Sequence, residues 1–277
     1  MDMADKLHKK QEALKKILRG YGRVAVAFSG GVDSTFLLAA AHETLGDEVV
    51  ALTARAASFP ARETAEAAAF CKKRGIEQVF VDIDQLAIDG FADNPPNRCY
   101  LCKKALFTAL LNEAGSRGYS CLAEGTNADD TGDYRPGLVA LMELGIKSPL
   151  KEAALTKEEI RALSREMGLP TADKPSFACL ATRIAYGEQI TTEKLERIER
   201  AEQQLLDLGL HQVRVRLHGD IARIEVAKEE MDWILQPAVR ERVDRELRKI
   251  GFLYVALDLA GYHTGSMNRA LGAERDE

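Results

Sequence analysis

Two cysteines three positions apart, Cys99 and Cys102, stand behind a proline pair in the stretch PPNRCYLCKK. Thiols at that spacing suit a zinc half-site, a redox pair or part of an iron–sulfur site, and two ordinary structural residues are the plain alternative. A third thiol, Cys179, lies in KPSFACLATR between Lys174 and Arg183. Neighbouring cations favour the thiolate, the form that attacks carbon or binds metal. Cys121 falls in an apolar run and Cys71 in an alanine-rich one, so both read as small buried hydrophobes. Five cysteines, an odd and low number, are not a disulfide framework.

A second reactive pattern is FSGGVDST, residues 28–35, at the joint between an apolar run and a helical one. Gly30 and Gly31 let backbone approach a phosphate, and the start of the following helix offers unpaired N–H groups to an anion. The hydroxyls of Ser29, Ser34 and Thr35 add donors. The loop lacks the Gly-Lys ending of a Walker A motif and the G-x-G-x-x-G of dinucleotide folds. Asp33 would repel phosphate unless Mg²⁺ lay between them; as a plain helix cap it would need no ligand at all. Further on, VRVR sets Arg214 and Arg216 on one side of a strand. Two guanidiniums there suit a phosphate or a carboxylate. The alternative is a solvated strand face paired with carboxylates such as Glu225.

The elements that must position these residues alternate. Strands are predicted at 23–28, 48–53, 78–84 and 120–126, with helices at 34–45, about 62–74 and from Lys103 to Gly115. That alternation implies an α/β fold, a parallel sheet covered by helices on both faces. Thr156 with Glu159 reads as a capping box opening a further helix, ended by Gly168 and Pro170. Residues 171–189 are polar and turn-rich. Beyond about 190 a charged helix, two alternating strands, two helices and a last strand read as a small α/β domain. We therefore expect domains at 1–188 and 189–277.

The chain has 277 residues, 46% hydrophobic and 29% charged, with a net charge of −5. That is an ordinary globular composition. The acidic balance argues against a nucleic-acid partner. No apolar run approaches the roughly 20 residues that span a bilayer, so no membrane partner is expected. Residues 1–20 read as a charged amphipathic helix with Leu7, Leu14, Ile17 and Leu18 on one side, unlike a secretion signal, and a cytoplasmic location is expected.

S-G-G-x-D-S after the first strand resembles the PP-loop of the ATP pyrophosphatase superfamily, which includes GMP synthetase, NAD synthetase and tRNA thiolases. EGTNADD, residues 124–130, is similar to that superfamily's second site at the end of the fourth strand. More specifically, ALTARAASFPARE, NPPNRCYLCKK, EGTNADDTGDYRPG, the long block from Lys147 to Ile184, VRVR with RIEV, and LDLAGYHTGSMN resemble the LarE family in order over most of the chain. The resemblance implies that ATP activates a carboxylate of pyridinium-3,5-dicarboxylate mononucleotide as an acyl-adenylate. Sulfur then displaces AMP to give a thiocarboxylate, a step towards the nickel-pincer cofactor of lactate racemase.

It further implies ATP and Mg²⁺ at Ser29, Gly30, Gly31, Asp33, Ser34, Thr35, Thr53, Thr126, Asp130 and the neighbouring Asp129. Catalytic roles fall to Cys179, Asp33 and Glu124. From its position just past the thiol, Arg183 is expected to bind substrate, as are Arg214 and Arg216 from the VRVR alternation, with Arg98, Tyr100 and Lys103 nearby. Cys99, Cys102 and Cys179 would hold a [4Fe-4S] cluster fed by sulfide or another sulfur donor. Zinc at these thiols, a sacrificial Cys179 left as dehydroalanine, and tRNA 2-thiolation remain alternatives. Relatives imply a homo-oligomer.

Overall fold

The computed structural model describes residues 3–131, 136–175, 178–263 and 265–266. It divides into two compact units, Met1–Asp84 with Cys99–Phe177, and Gln85–Arg98 with Ala178–Glu277.

The first unit runs α1 (Met3–Tyr21), β1 (Val24–Ala27), α2 (Val32–Leu45), β2 (Val49–Arg55), α3 (Ala61–Arg74), β3 (Glu77–Asp82), α4 (Arg98–Ser116), β4 (Cys121–Ala123), α5 (Pro136–Glu143), α6 (Pro149–Glu152) and α7 (Lys157–Glu166). Its four strands are parallel in the order β3-β2-β1-β4. Short Val- and Ala-rich strands suit this arrangement, because a parallel sheet is buried on both faces. Side chains alternate across it. Val24, Val26, Val49 and Ala51 pack with Leu14 and Leu18 of α1, Phe36 of α2, Phe70 of α3 and Ile160 of α7. Ala25, Val50 and Leu52 pack on the other face with Leu106 and Leu110 of α4 and Leu141 of α5. Truncating a fully buried leucine such as Leu52 to alanine costs about 2–5 kcal/mol. Local signals end the helices where expected: Gly75 closes α3 in the left-handed region at φ 68°, and Thr156 with Glu159 forms a reciprocal capping box on α7.

The second unit contains α8 (Thr192–Asp207), β5 (Val213–His218), β6 (Ile221–Val226), α9 (Met231–Ile234), α10 (Pro237–Ile250) and β7 (Tyr254–Leu257). The sheet order is β5-β6-β7, with β5 antiparallel and β7 parallel to β6. Leu195, Ile198, Ala201 and Leu205 of α8 are buried, as are Val243 and Leu247 of α10. Among the described residues no helix is long and apolar enough to cross a membrane.

Candidate active site

The glycine loop leaves β1 at Phe28 and enters α2 at Val32. Gly30 has φ 74°, and a Cβ there would lie 3.3 Å from both Ala67 Cβ and the Glu63 carbonyl oxygen of α3. Glycine is therefore required twice over, by conformation and by the close pass of α3. Ser34 folds back on the loop: its hydroxyl accepts from Ser29 N–H at 3.3 Å, lies 3.1 Å from Ser29 Oγ and donates to the Gly31 carbonyl at 3.2 Å. The Thr35 hydroxyl is buried with no hydrogen-bond partner among the described residues. Lys174 reaches in from the segment after α7, donating to Gly30 O at 3.3 Å and to Glu63 and Glu66 at 2.6 Å each. Its ammonium is spent on the loop's support.

Asp33 does not cap α2. Gly31 occupies the cap position without a side-chain bond. The Asp33 carboxylate instead faces across the sheet end, accepting from Asn127 Nδ2 at 3.3 Å and pairing with the Lys157 ammonium. Asn127 belongs to the loop after β4. There the Glu124 carboxylate is buried and accepts from Thr126 N–H at 3.0 Å, Thr126 Oγ1 at 2.8 Å and Ser148 Oγ at 2.6 Å. Asp130 accepts from Asn127 N–H at 3.0 Å, and Asp129 from Lys157 N–H at 2.7 Å. Gly125 lets this loop meet α2, since a Cβ on it would stand 3.0 Å from Ser34 N and 3.1 Å from Asp33 Cβ. Thus Ser29, Gly30, Gly31, Asp33, Ser34, Thr35, Glu124, Thr126, Asp129 and Asp130 share one end of the sheet. Thr53 sits beneath them, its hydroxyl donating to Phe28 O at 2.9 Å and accepting from Gln78 at 2.8 Å. Lys157 and Gly125 were not legible as site residues, since one reads as a helix start and the other as a turn.

At the carboxyl ends of β2 and β3 a cavity of about 670 Å³ opens, lined by Arg55, Phe59, Thr64, Asp82, Ile83 and Asp84 among others. Ligands of open α/β sheets gather at this edge, and hydroxyls, backbone N–H groups and hard carboxylate oxygens are the donor set for a Mg²⁺-bound polyphosphate.

No cysteine among the five is in a disulfide. Cys99 and Cys102 lie in the first turns of α4, three residues apart and so on neighbouring positions of one face. Tyr100 donates to Glu143 of α5 at 2.9 Å, and the stem of Lys103 lies against Gly137. Among the described residues no three His, Cys, Asp or Glu side chains are gathered as a metal-holding group. Burial pushes the Cys71 thiol up to about 12 and raises that of Cys121, as befits structural residues.

In the second unit Cys179 caps a short 3₁₀ turn, Leu180–Arg183. The arginines around it are not solvated: Arg183 is 0%, Arg214 2% and Arg216 5% exposed. Arg183 pairs with Glu202 of α8 through two bonds, at 2.8 and 3.0 Å. Arg216 donates to Glu225 at 2.7 Å, to Ser266 Oγ at 3.0 Å and to the Thr182 carbonyl at 3.1 Å. Arg223 meets Glu225 at 3.1 Å and also pairs with Asp258. Arg214 lies 5.0 Å from the Tyr262 ring centre, and burial, aided by the charge on Arg183, lowers its pKa to about 10. Asn94, in the left-handed region at φ 54°, donates to the carbonyls of Ala185 at 2.7 Å and Ile184 at 3.3 Å. Arg98 is buried, bonded to Asn94 and 4.6 Å from the Tyr186 ring centre.

Residues 23–93 match the family model described as "Queuosine biosynthesis protein QueC". The chain is 42% identical over 265 residues to uncharacterized protein slr1717 of Synechocystis sp., covering 96% of its own length and 99% of that protein. It is 37% identical over 263 residues to pyridinium-3,5-bisthiocarboxylic acid mononucleotide synthase of Lactiplantibacillus plantarum, covering 95% of each. The glutamine-hydrolyzing GMP synthase of Mesorhizobium japonicum is 29% identical over 220 residues, 71% of this chain and 41% of that one. An end-to-end likeness to the mononucleotide synthase joins a glycine loop, a second acidic loop and a parallel sheet that carries both: the chain belongs to the LarE family of the PP-loop superfamily.

Proposed function

We propose that this protein is an ATP-dependent sulfur transferase acting on pyridinium-3,5-dicarboxylate mononucleotide. The observation that carries the reading is the meeting of the glycine loop with the loop after β4, centred on Asp33, in a chain alike from end to end to a mononucleotide synthase. ATP lies with its phosphates on Ser29–Thr35 and its adenosine toward the cavity over β2 and β3. Thr126 and Asp130 complete the nucleotide site. Asp33 and Asp130 would hold Mg²⁺, which neutralises phosphate charge and so eases attack at the α-phosphorus. Lys157 keeps Asp33 compensated when no Mg²⁺ is bound and is free to turn to phosphate when it is.

The substrate carboxylate attacks the α-phosphorus, pyrophosphate leaves, and a mixed anhydride with AMP forms. Sulfide-level sulfur at the Cys179 site then attacks the acyl carbon, the bond to AMP breaks with its electron pair leaving on AMP, and the thiocarboxylate results. Were that sulfur Cys179 Sγ itself, the attack would give a thioester. Loss of the Cys179 Cα proton with cleavage of its Cβ–Sγ bond would then release the thiocarboxylate and leave dehydroalanine. Glu124 braces the loop that presents Thr126. Arg214 and Arg216 are proposed for the substrate's phosphate and carboxylates because guanidiniums suit such anions; Arg216 would exchange its bonds to Glu225, Ser266 and the Thr182 carbonyl for them.

Cys99, Cys102 and Cys179 are proposed as ligands of a [4Fe-4S] cluster. Thiolates are its usual donors, and two of the three share one helix face. The three are not gathered as a metal-holding group among the described residues, so the proposal rests on donor chemistry and on the family resemblance. No step is routed through it. A homo-oligomer is also proposed, supported by the exposed Ile221, Leu253, Tyr254 and Leu259, along with a cytoplasmic location. The test is AMP and pyrophosphate formation that depends on the pyridinium acid. Equal ATP cleavage without the acid, or tight salt-sensitive tRNA binding with tRNA-dependent cleavage, would replace this reading.

A further inference from the structure

The turn that bears Cys179 is held by side chains more than by regular structure. Between Ala178 and Ala185, five backbone carbonyls accept bonds from buried or half-buried side-chain donors. Arg183 Nη1 donates to Ala178 O at 2.9 Å and Cys179 O at 3.2 Å. Arg216 takes Thr182 O, and Asn94 takes those of Ile184 and Ala185. Cys179 O also accepts from Thr182 N–H at 3.0 Å and Thr182 Oγ1 at 2.8 Å. The remaining face of the Arg183 guanidinium lies on Glu202, whose Oε1 accepts in addition from Val215 N–H of β5 at 2.9 Å.

We infer that Arg183, backed by Glu202, is a positioning residue that fixes the backbone of Cys179 against α8 and β5. Arg183 is wholly buried, and its Nε, Nη1 and Nη2 each bond to protein, so a substrate anion meets no open face of it. This departs from the expectation that Arg183 binds substrate. The guanidinium is the group suited to the task, since one planar fork spans a carboxylate and two carbonyls at once, whereas an ammonium is a point donor. Glu202 is needed because a buried guanidinium without a carboxylate is costly. The consequence is a sulfur-bearing residue whose main chain is held in place by buried donors.

The inference rests on the sulfur-transfer reading for its kinetic arm, but not for its chemical one. The full-length protein is compared with Arg183→Lys and, in case that change prevents folding, Thr182→Val, which removes one donor to Cys179 O and one acceptor of Arg183 Nη1 and leaves the buried ion pair with Glu202. Three quantities are measured: ATP–pyrophosphate exchange with the pyridinium acid, single-turnover thiocarboxylate formation, and iodoacetamide alkylation of Cys179 followed by peptide mass. Exchange and the KM for the acid are expected to stay within about twofold of wild type. Transfer is expected to fall by about 10- to 100-fold, the scale set by a misplacement of about 1 Å. The Cys179 alkylation rate should shift severalfold. A raised KM with transfer intact at saturation would make Arg183 a substrate ligand and overturn the inference, as would unchanged alkylation in both variants. A wild-type protein without acid-dependent exchange would refute the functional reading instead, and alkylation alone would then decide the positioning role.

Discussion

Gly125→Ala is the most economical perturbation of the nucleotide site, because it adds one methyl group where two loops touch. The added Cβ would lie 3.0 Å from Ser34 N, 3.1 Å from Asp33 Cβ and 3.2 Å from Asp33 C. Ordinary contact begins near 3.4 Å, so the three overlaps are 0.4, 0.3 and 0.2 Å. Two of the three atoms are backbone and the third is the first atom of a side chain, so no flexible tip can swing aside. The loop after β4 must move away from α2, and Asn127, 3.3 Å from Asp33, moves with it. Overpacking of this kind costs about 1–3 kcal/mol of stability. Displacing phosphate-binding groups by a fraction of an ångström costs more in rate, and we expect ATP–pyrophosphate exchange to fall by about 10- to 100-fold. The assay is exchange at saturating ATP and Mg²⁺, alongside thermal unfolding. Exchange within twofold of wild type in a folded Gly125→Ala protein would refute the claim that the two loops form one site.

Glu225→Gln would leave Arg216 and Arg223 facing a neutral amide in a buried cluster; breaking a buried pair this way costs about 3–5 kcal/mol, visible in urea unfolding. The Glu159 carboxyl is held below its ordinary range, since bonds from Lys10 and from Thr156 outweigh the upward push of burial. A depressed carboxylate stabilises the fold above its unfolded pKa and loses that contribution as pH falls through the lower folded value. Destabilisation of wild type on acidification below about pH 4.5 should accordingly be blunted in Glu159→Gln, read as melting temperature against pH. Anaerobically purified protein should carry iron and sulfide, and Cys99→Ser or Cys102→Ser should lower both; equal metal in the variants would remove the cluster from the account.

The parallel sheet was legible because its strands are short runs of Val, Ala and Leu punctuated by helices with clear ends, such as Gly75 and the Thr156–Glu159 box. The glycine loop was legible for the same local reason, its residues being consecutive. What escaped was everything decided by residues far apart in the chain. Lys157 looks like the first residue of a capped helix, and nothing near it announces Asp33, 124 positions earlier. Alternation in VRVR separates two strand faces but says nothing about what covers them, and here Glu225, Ser266 and the Thr182 carbonyl bury Arg216. Arg183 was read as a substrate ligand from its nearness to Cys179. Its partner Glu202 lies in a helix whose sequence shows only charge alternating with leucine and isoleucine. Asn94 at positive φ has no local signal beyond the tolerance of asparagine for that region.

The central claim is that adenylation and sulfur transfer are successive steps at separate residues, the glycine loop serving the first and Cys179 the second. The direct measurement follows AMP, pyrophosphate and thiocarboxylate together in wild type and Cys179→Ala, with ATP, Mg²⁺ and the pyridinium acid. The account predicts acid-dependent pyrophosphate exchange in both proteins and thiocarboxylate in wild type alone. Thiocarboxylate formed by Cys179→Ala at the wild-type rate would contradict it.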